Sequence, residues 1–216
     1  MKLTKKILTT LKNYATINPG IIFKPGSVIR TISIEQNIYA ECDIGVEFPV
    51  EFCIFDLGEF LSTVSIFNDA DLEFSDEYVT ISEGKSSVRY YYSSPMVVTG
   101  VTNVPTFESG DTQFSLTQPE MSSLLKASSI LDLDTLNVTA DEGGVLLSVT
   151  NSDNCTSNKF THHVDTDTTG ELGDSISIDN LKMLSMDYDV EIVSEEFIHF
   201  NNPTEGVRYW VTVDAD

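Results

Sequence analysis

The residues with the readiest capacity for chemistry are His162-His163, followed closely by Asp165 and Asp167, a grouping that invites a metal ion. Neighbouring residues on a strand point to opposite faces, so the two imidazoles cannot easily share one ion, and no metal site is predicted. The Asp-x-Asp pairs lack the glycine and closing glutamate of a calcium loop. A phosphate-binding P-loop, a dinucleotide fingerprint, HExxH and GxSxG are all missing. With 34 acidic residues in the chain, no carboxylate pair stands apart as catalytic. The sequence therefore predicts no catalytic residue, no cofactor and no enzyme. An energy-coupled step in its work would fall to a partner.

What remains is phosphate chemistry, and the overall charge argues against it. Twelve basic residues against 34 acidic ones give a net charge of −22, and a polyanion repels DNA. Solubility or adaptation to a salty host would account for that balance equally well. The bases are unevenly placed, however. Lys2, Lys5, Lys6, Lys12, Lys24 and Arg30 are six of the twelve and lie within the first thirty residues. Such clustering can present a positive surface locally while repelling DNA elsewhere.

These lysines need an element to position them. Residues 4 to 16 have Ile7, Leu8, Leu11, Tyr14 and Ala15 at helical spacing, which predicts a helix with Lys5, Lys6, Lys12 and Asn13 on its opposite face. Asn18-Pro19-Gly20 stops it. Strands are predicted at Ser27 to Ile34, Asn37 to Cys42 and Glu47 to Phe55. A second helix is predicted from Asp56 to Phe67, with Asp56 as N-cap and Leu57, Phe60, Leu61 and Val64 buried. Short strands follow at Leu72 to Phe74, Tyr78 to Ile81 and Ser87 to Tyr92. From Ser93 to Gln113 the pattern breaks at Pro95, Gly100, Pro105 and Gly110, which marks an interdomain linker.

The second half repeats the order of the first. Thr117-Gln118-Pro119-Glu120 is a capping box that opens a third helix, with Met121, Leu124, Leu125 and Leu131 as its stripe. Laid over the first helix, Ile7, Leu11 and Lys12 fall on Met121, Leu125 and Lys126. Strands are predicted at Thr135 to Val138, Val145 to Thr150 and Lys159 to Val164. Ile178 to Leu181, with Leu184, echoes the second helix and predicts a fourth. Glu196 to Phe200 and Val207 to Val213 close the chain as strands. The domains are thus 1–108 and 109–216. Twelve Phe and eight Tyr are ample for two packed cores. Three cysteines, Cys42, Cys53 and Cys155, without CxxC spacing predict free thiols in a reducing compartment. No secretory signal or membrane span is predicted.

Several segments resemble the sliding clamps of T-even-type bacteriophages, the processivity factors of replicative DNA polymerases. They are Met1-Lys2-Leu3 with Leu11 to Gly20, Asp56 to Leu61, Leu124-Leu125-Lys126 with Leu133 to Leu136, Asn180 to Met183, and Tyr209 to Asp216. Order and spacing agree over nearly the whole chain. Agreement is weak over 85–115 and 150–175. The chain departs from the family in Ser129, where a second basic residue is usual, in a second helix without any base, and in a shorter tail.

The resemblance implies an α+β DNA-clamp fold of two similar domains, each with its sheet outside and two helices inside, and three chains closing as a homotrimer into a six-domain ring. It implies non-specific, topological binding of duplex DNA, with Lys2, Lys5, Lys6, Lys12, Lys126 and Lys182 facing it; lysine suits this as a point charge that makes no base-specific contact. It implies a partner-peptide pocket walled by Ile38, Tyr39, Val104, Phe107, Trp210 and Val213. Subunit joints are implied at the edges Ser87 to Tyr92 and Lys159 to Val164, through Arg89, Tyr91, Phe160 and His162. The implied partners are a viral DNA polymerase, an ATP-dependent clamp loader and viral late-transcription factors, in the cytoplasm of an infected bacterial host. The alternatives are a structural or adhesive β-rich phage protein with no DNA role and a hydrolase using an acidic cleft.

Overall fold

The computed structural model describes residues 1–110, 112–141, 143–154, 156–166 and 172–214. Cys155, Asp167, Ala215 and Asp216 lie outside the described residues. The chain divides into two compact units, Met1–Pro105 with Glu205–Val207, and Thr106–Thr204 with Arg208–Asp216.

In the first unit, α1 (Lys5–Ile17) starts where the Thr4 hydroxyl accepts the Ile7 N–H at 3.3 Å. It buries Ile7, Thr10, Leu11, Tyr14 and Ile17. Its stop is more than a local turn. The Asn18 side-chain amide donates to the carbonyls of Ile32 at 2.7 Å and Thr99 at 3.1 Å, and its carbonyl accepts from the Gly20 N–H. One buried asparagine thus ties three separate backbone segments. The strands are β1 (Ile21–Phe23), β2 (Gly26–Ile32), β3 (Ile38–Phe48) and β4 (Phe52–Ile54), with β1 paired to β4 and β2 to β3, all antiparallel. Asn37 to Cys42 is only the opening of the 11-residue β3, and Glu47 to Phe55 is two elements rather than one. Pro49 follows β3 directly and has no N–H to continue a ladder.

Asp56 caps α2 (Leu57–Val64), its carboxylate accepting the Glu59 N–H at 2.9 Å. Leu57, Phe60, Leu61 and Val64 are its buried face, as their spacing requires. Helices α1 and α2 pack on one another. Next, β5 (Asp71–Phe74), β6 (Tyr78–Glu83) and β7 (Ser86–Tyr91) form a three-stranded sheet in that order, with β7 at its edge. An aromatic cluster fills part of the core. Phe23 stacks on Phe52 at 4.4 Å and Phe52 on Tyr92 at 4.9 Å, while Phe48 and Phe74 meet edge to face.

In the second unit, β8 (Thr112–Leu116) takes up the last residues expected in the linker. Helix α3 (Gln118–Leu131) opens on the predicted capping box. The Thr117 backbone N–H and hydroxyl both donate to Glu120, at 2.8 and 2.7 Å. Met121, Leu124 and Ser128 are buried, but Leu131 is not. Asp132 turns into the left-handed region at φ 55°, so the chain leaves the helical path and Leu133 enters the core instead. The remaining strands are β9 (Thr135–Asp141), β10 (Gly144–Thr150), β11 (Phe160–Asp165), β12 (Gly173–Ser177), β13 (Tyr188–Val193), β14 (Phe197–Asn202) and β15 (Val207–Thr212). One sheet runs β11-β10-β9-β12, with β11 at its edge; β8, β13, β14 and β15 are neighbours in another.

The predicted fourth helix is absent. Ile178–Asn180 is a single 3-10 turn, and Leu181 leaves helical geometry at ψ 48°. Two tyrosines explain why the turn does not propagate. The Leu184 N–H donates to the Tyr209 hydroxyl at 3.3 Å, and the Tyr188 hydroxyl donates to the Leu184 carbonyl at 2.6 Å. Backbone groups that a helical ladder would need are held by side chains. The order helix, strands, helix, strands is therefore incomplete in the second unit.

The capping box gives a stability prediction. Hydrogen bonds from the Thr117 hydroxyl and then its backbone N–H hold the Glu120 carboxyl below its ordinary value of 4.5. A carboxyl lowered by folding stabilises the fold above its unfolded value, and that contribution is lost as pH falls through the folded value. Thr117→Ala should cost about 1 kcal/mol. Denaturant unfolding of Glu120→Gln should show a deficit against wild type above pH 4.5 that closes in more acidic solution; a deficit that widens there would contradict the capping role.

Candidate nucleic-acid and partner interfaces

Each amphipathic helix buries one face in its own unit and leaves the other to something else. On α1 the free face carries Lys5, Thr9, Lys12 and Thr16, all exposed. Lys5 and Lys12 are two turns apart and lie within about 20° of each other around the axis. On α3, Lys126 projects from the side opposite Met121, Leu124 and Ser128. Among the described residues Lys5, Lys12 and Lys126 have no ion-pair partner. They are three ammonium groups on two helices, available to an anion.

The other three lysines sit differently. Lys2 is not on a helix. It bridges to Asp71 at the margin of β5, and its ammonium lies against Asp69, with the Asp71 carboxylate at 4.0 Å. The hydrogen bond to Asp69 and the nearby acids raise its pKa, so it stays charged but locally neutralised. Lys6 lies on the flank of α1, half-buried and 4.0 Å from Glu205. Lys182 is exposed beyond the 3-10 turn that replaces the fourth helix.

Several hydroxyls on these helices are already committed. Ser62 donates to the Gly58 carbonyl at 2.8 Å, Thr63 to Glu59 at 2.9 Å, Ser123 to Pro119 at 2.8 Å and Thr16 to Asn13 at 2.7 Å. A hydroxyl has one proton to donate. Spent on the helix, it offers a phosphate only lone pairs, so these four hydroxyls do not add donors to the lysines'.

The expected pocket residues belong to different units. In the first, Ile38 and Tyr39 are both buried on β3, and Val104 is exposed. The Tyr39 hydroxyl donates to Glu41 at 3.0 Å, and Arg30 donates to the same carboxylate at 3.1 Å. Burial first, then the Glu41 charge, pushes the Tyr39 phenol well above its ordinary range. Tyr39 is thus anchored in a buried polar network as well as being a candidate wall.

In the second unit, Phe107 stacks on Trp210 at 4.5 Å and 12°, and meets Phe197 edge-on at 5.2 Å. Trp210 stacks on His199 at 4.4 Å, and the Arg208 guanidinium lies 5.7 Å from the indole. Val213 is half-buried just past β15. Glu191 anchors this layer. It accepts from the Gly110 N–H at 3.0 Å and the Gln113 amide at 3.2 Å, and it sits 3.2 Å from His199 Nδ1. Sequence reasoning missed His199 and Glu191. The signal was present, since they are directly opposed on β14 and β13, but it appears only once the register is known.

The proposed joint strands β7 and β11 are each the edge of a sheet, with unpaired backbone on one side. Their four candidate residues divide between faces. Arg89 and Tyr91 point away from the core, and Tyr91 is 61% exposed. Arg89 lies 5.0 Å above the Tyr78 ring. Phe160 and His162 are on the other kind of face, with Val164 buried beside them and His162 Nε2 3.2 Å from Glu120 of α3. His163 points the opposite way, 3.8 Å from Asp141 and 3.5 Å from Asp165, so the two histidines do diverge.

Residues 2–99, which contain α1, α2 and the edge strand β7, match the DNA polymerase processivity factor family. Over 199 residues the chain is 32% identical to the sliding clamp of Vibrio phage KVP40, spanning 89% of this chain and 90% of that protein. This chain belongs to the sliding-clamp family. It is also 31% identical to the sliding clamp of Enterobacteria phage T4 over 150 residues, 68% of this chain and 65% of that one. Solved clamps share the fold despite distant sequences. The A. fulgidus PCNA, solved with the C-terminal region of FEN-1, aligns with a TM-score of 0.75 at 11% identity, covering 100% of this chain and 98% of that one. The DNA polymerase III subunit beta of Pseudomonas aeruginosa aligns with a TM-score of 0.71 at 10% identity, covering 100% and 64%. The α+β clamp fold is thereby established, and the structural or adhesive alternative finds no support.

Within this clamp chain the Phe107–Trp210–His199 stack can be tested directly, because Trp210 is its single tryptophan. Phe107→Ala should shift Trp210 emission to longer wavelength and lower unfolding stability by about 1 kcal/mol or more, the aromatic pair's share beyond area burial. Unchanged emission in the folded variant would show that Phe107 does not cover the indole in solution.

Proposed function

We infer that this sliding clamp encircles duplex DNA as a ring of chains and tethers the replicative polymerase for processive synthesis, with Lys5, Lys12 and Lys126 meeting the phosphates. Family membership carries the tethering role, and sliding clamps act as multimeric rings that bind DNA and polymerase. The observation that carries the DNA-facing assignment is the one above: three exposed, unpaired lysines on the free faces of α1 and α3, in a chain otherwise poor in lysine. Lys2, Lys6 and Lys182 belong to the same expected set. Lys2 and Lys6 already lie against acids of their own chain and contribute less.

The stoichiometry we propose is three chains, joined head to tail through the edges β7 and β11, since such joints close into a ring. Clients would enter as short hydrophobic peptides beside Ile38, Tyr39, Val104, Phe107, Trp210 and Val213. Exposed Val104 and the aromatic layer of Phe107 and Trp210 support this, because aromatic anchors dominate such binding. The likeness to a PCNA solved with the C-terminal region of FEN-1 supports it too. The polymerase, an ATP-dependent loader and late-transcription factors are the clients, in the cytoplasm of an infected bacterium. The clamp itself performs no catalysis in this scheme. Among the described residues, no helix is long and apolar enough to cross a membrane.

Topological retention separates this reading from ordinary DNA binding. Direct contact through a few lysines weakens steeply with salt, whereas escape of a loaded ring requires a joint to open. Clamps loaded on circular DNA should persist at salt that abolishes direct binding. Changing Lys5, Lys12 and Lys126 together to glutamate should impair loading and processive primer extension on a circular template, with the solution mass still that of three chains. Full processivity from an intact triple variant would remove these lysines from the DNA-facing surface. A mass of one chain at every concentration would remove the ring.

A further inference from the structure

We propose that the joint between chains is locked by an ion pair from Arg89 of one copy to Asp165 of the next, on the side of the joined sheet away from the helices. The proposal rests on the head-to-tail reading of β7 and β11 and adds which residues face one another across it.

Strand alternation settles the faces. On β7, Val88, Tyr90 and the following Tyr92 turn towards the core, where Tyr90 meets Phe60 of α2 at 5.3 Å. Ser87, Arg89 and Tyr91 turn away. On β11, Phe160, His162 and Val164 turn towards α3, and Thr161, His163 and Asp165 turn away. If the two edges join so that α2 and α3 stay on one side, as helices lining a common hole must, like faces meet. Arg89 and Tyr91 then face Thr161, His163 and Asp165. They cannot reach Phe160, His162 or Glu120, which lie beneath the sheet.

The chemistry of the two away-facing edges is complementary. Arg89 is the only base on β7, it is exposed, and among the described residues it has no carboxylate partner in its own chain. The aromatic pair Tyr78 and Tyr91, 5.4 Å apart, flanks it, and its guanidinium lies over the ring of Tyr78 on the neighbouring strand β6. On the other edge the Asp165 side chain is fully exposed. Among the described ion pairs Asp165 meets His163 at 3.5 Å. A guanidinium offers donors in a planar fork that matches a carboxylate. Facing residues on paired strands lie about 5 Å apart and diagonal ones about 7–8 Å, so registers that set Arg89 opposite His163 or Asp165 bring the pair within reach. Two chains of charge −22 repel on approach, which gives a specific attraction at the joint a role in closing it.

The test is charge reversal read by solution mass over a dilution series. Arg89→Glu and Asp165→Arg should each move the dissociation midpoint to at least tenfold higher concentration, and the combined variant should recover most of that loss. Midpoints within twofold of wild type for both single variants, or a double variant no better than the worse single one, would overturn the pair. A second measurement separates the pair from the joint itself. Ser87→Cys and Thr161→Cys in a Cys155→Ser background, treated with a flexible bis-maleimide, should give covalently linked chains on a denaturing gel. Linking without any response to charge reversal refutes the pair and keeps the joint; no linking with a single-chain mass refutes both.

Discussion

Coulomb repulsion is the constraint on which the rest of this clamp depends. A chain carrying 34 acids and 12 bases has to work around a polyanion. At physiological salt, charges more than about 8 Å apart are largely screened, so the net charge acts weakly across the molecule and local charge dominates at contact. The sequence resolves the conflict by place rather than by number. The exposed faces of α1 and α3 hold ammonium groups without an ion-pair partner among the described residues, while Lys2 and Lys6, off that face, are matched to Asp69, Asp71 and Glu205. Acid elsewhere discourages DNA from any surface but the intended one.

The same logic accounts for how little the helices offer beyond lysine. A sliding surface has to be attractive enough to centre a duplex and poor enough in contacts to let it move. Serine and threonine could supply many phosphate hydrogen bonds, each worth about 1 kcal/mol. Those of Thr16, Ser62, Thr63 and Ser123 are returned to the helix backbone. Helix α2 goes further and turns Glu59 outward, where its carboxylate accepts from the Tyr90 hydroxyl at 3.2 Å. Were these faces to meet DNA, the four committed hydroxyls would keep contact weak alongside the small number of lysines.

Helix faces were legible in the sequence because an amphipathic period and a cap are local. Asp56, Thr117 and Glu120 do in space what their spacing implies, and Leu57, Phe60, Leu61 and Val64 are buried together. Edges and networks were less legible because they depend on register. The opposition of Glu191 and His199, the tie of Asn18 to Ile32 and Thr99, and the split of Arg89 from His162 between faces all follow from pairings between distant segments. The fourth helix failed for a related reason. Ile178 to Leu184 has helix-compatible residues, and local pattern cannot register that Tyr188 and Tyr209 will claim the Leu184 backbone. Leu131 failed more locally, because Asp132 adopts a left-handed conformation that redirects the next apolar side chain.

The lost fourth helix bears on the charge argument. With one α-helix and a 3-10 turn in the second unit, the two units do not present equal helical faces. Lys126 is the only base on α3, and Ser129, one turn on, adds no charge. The exposed Ile130, two-thirds accessible, shares that face with Lys126 and Ser123. In the proposed ring the second unit would therefore contribute a sparser and less polar face than the first, where Lys5 and Lys12 fall on one line. Phosphate attraction around the ring would alternate in strength from unit to unit. A duplex inside would be held more by the N-terminal units than by the C-terminal ones, which is sufficient where retention comes from closure of the ring rather than from affinity.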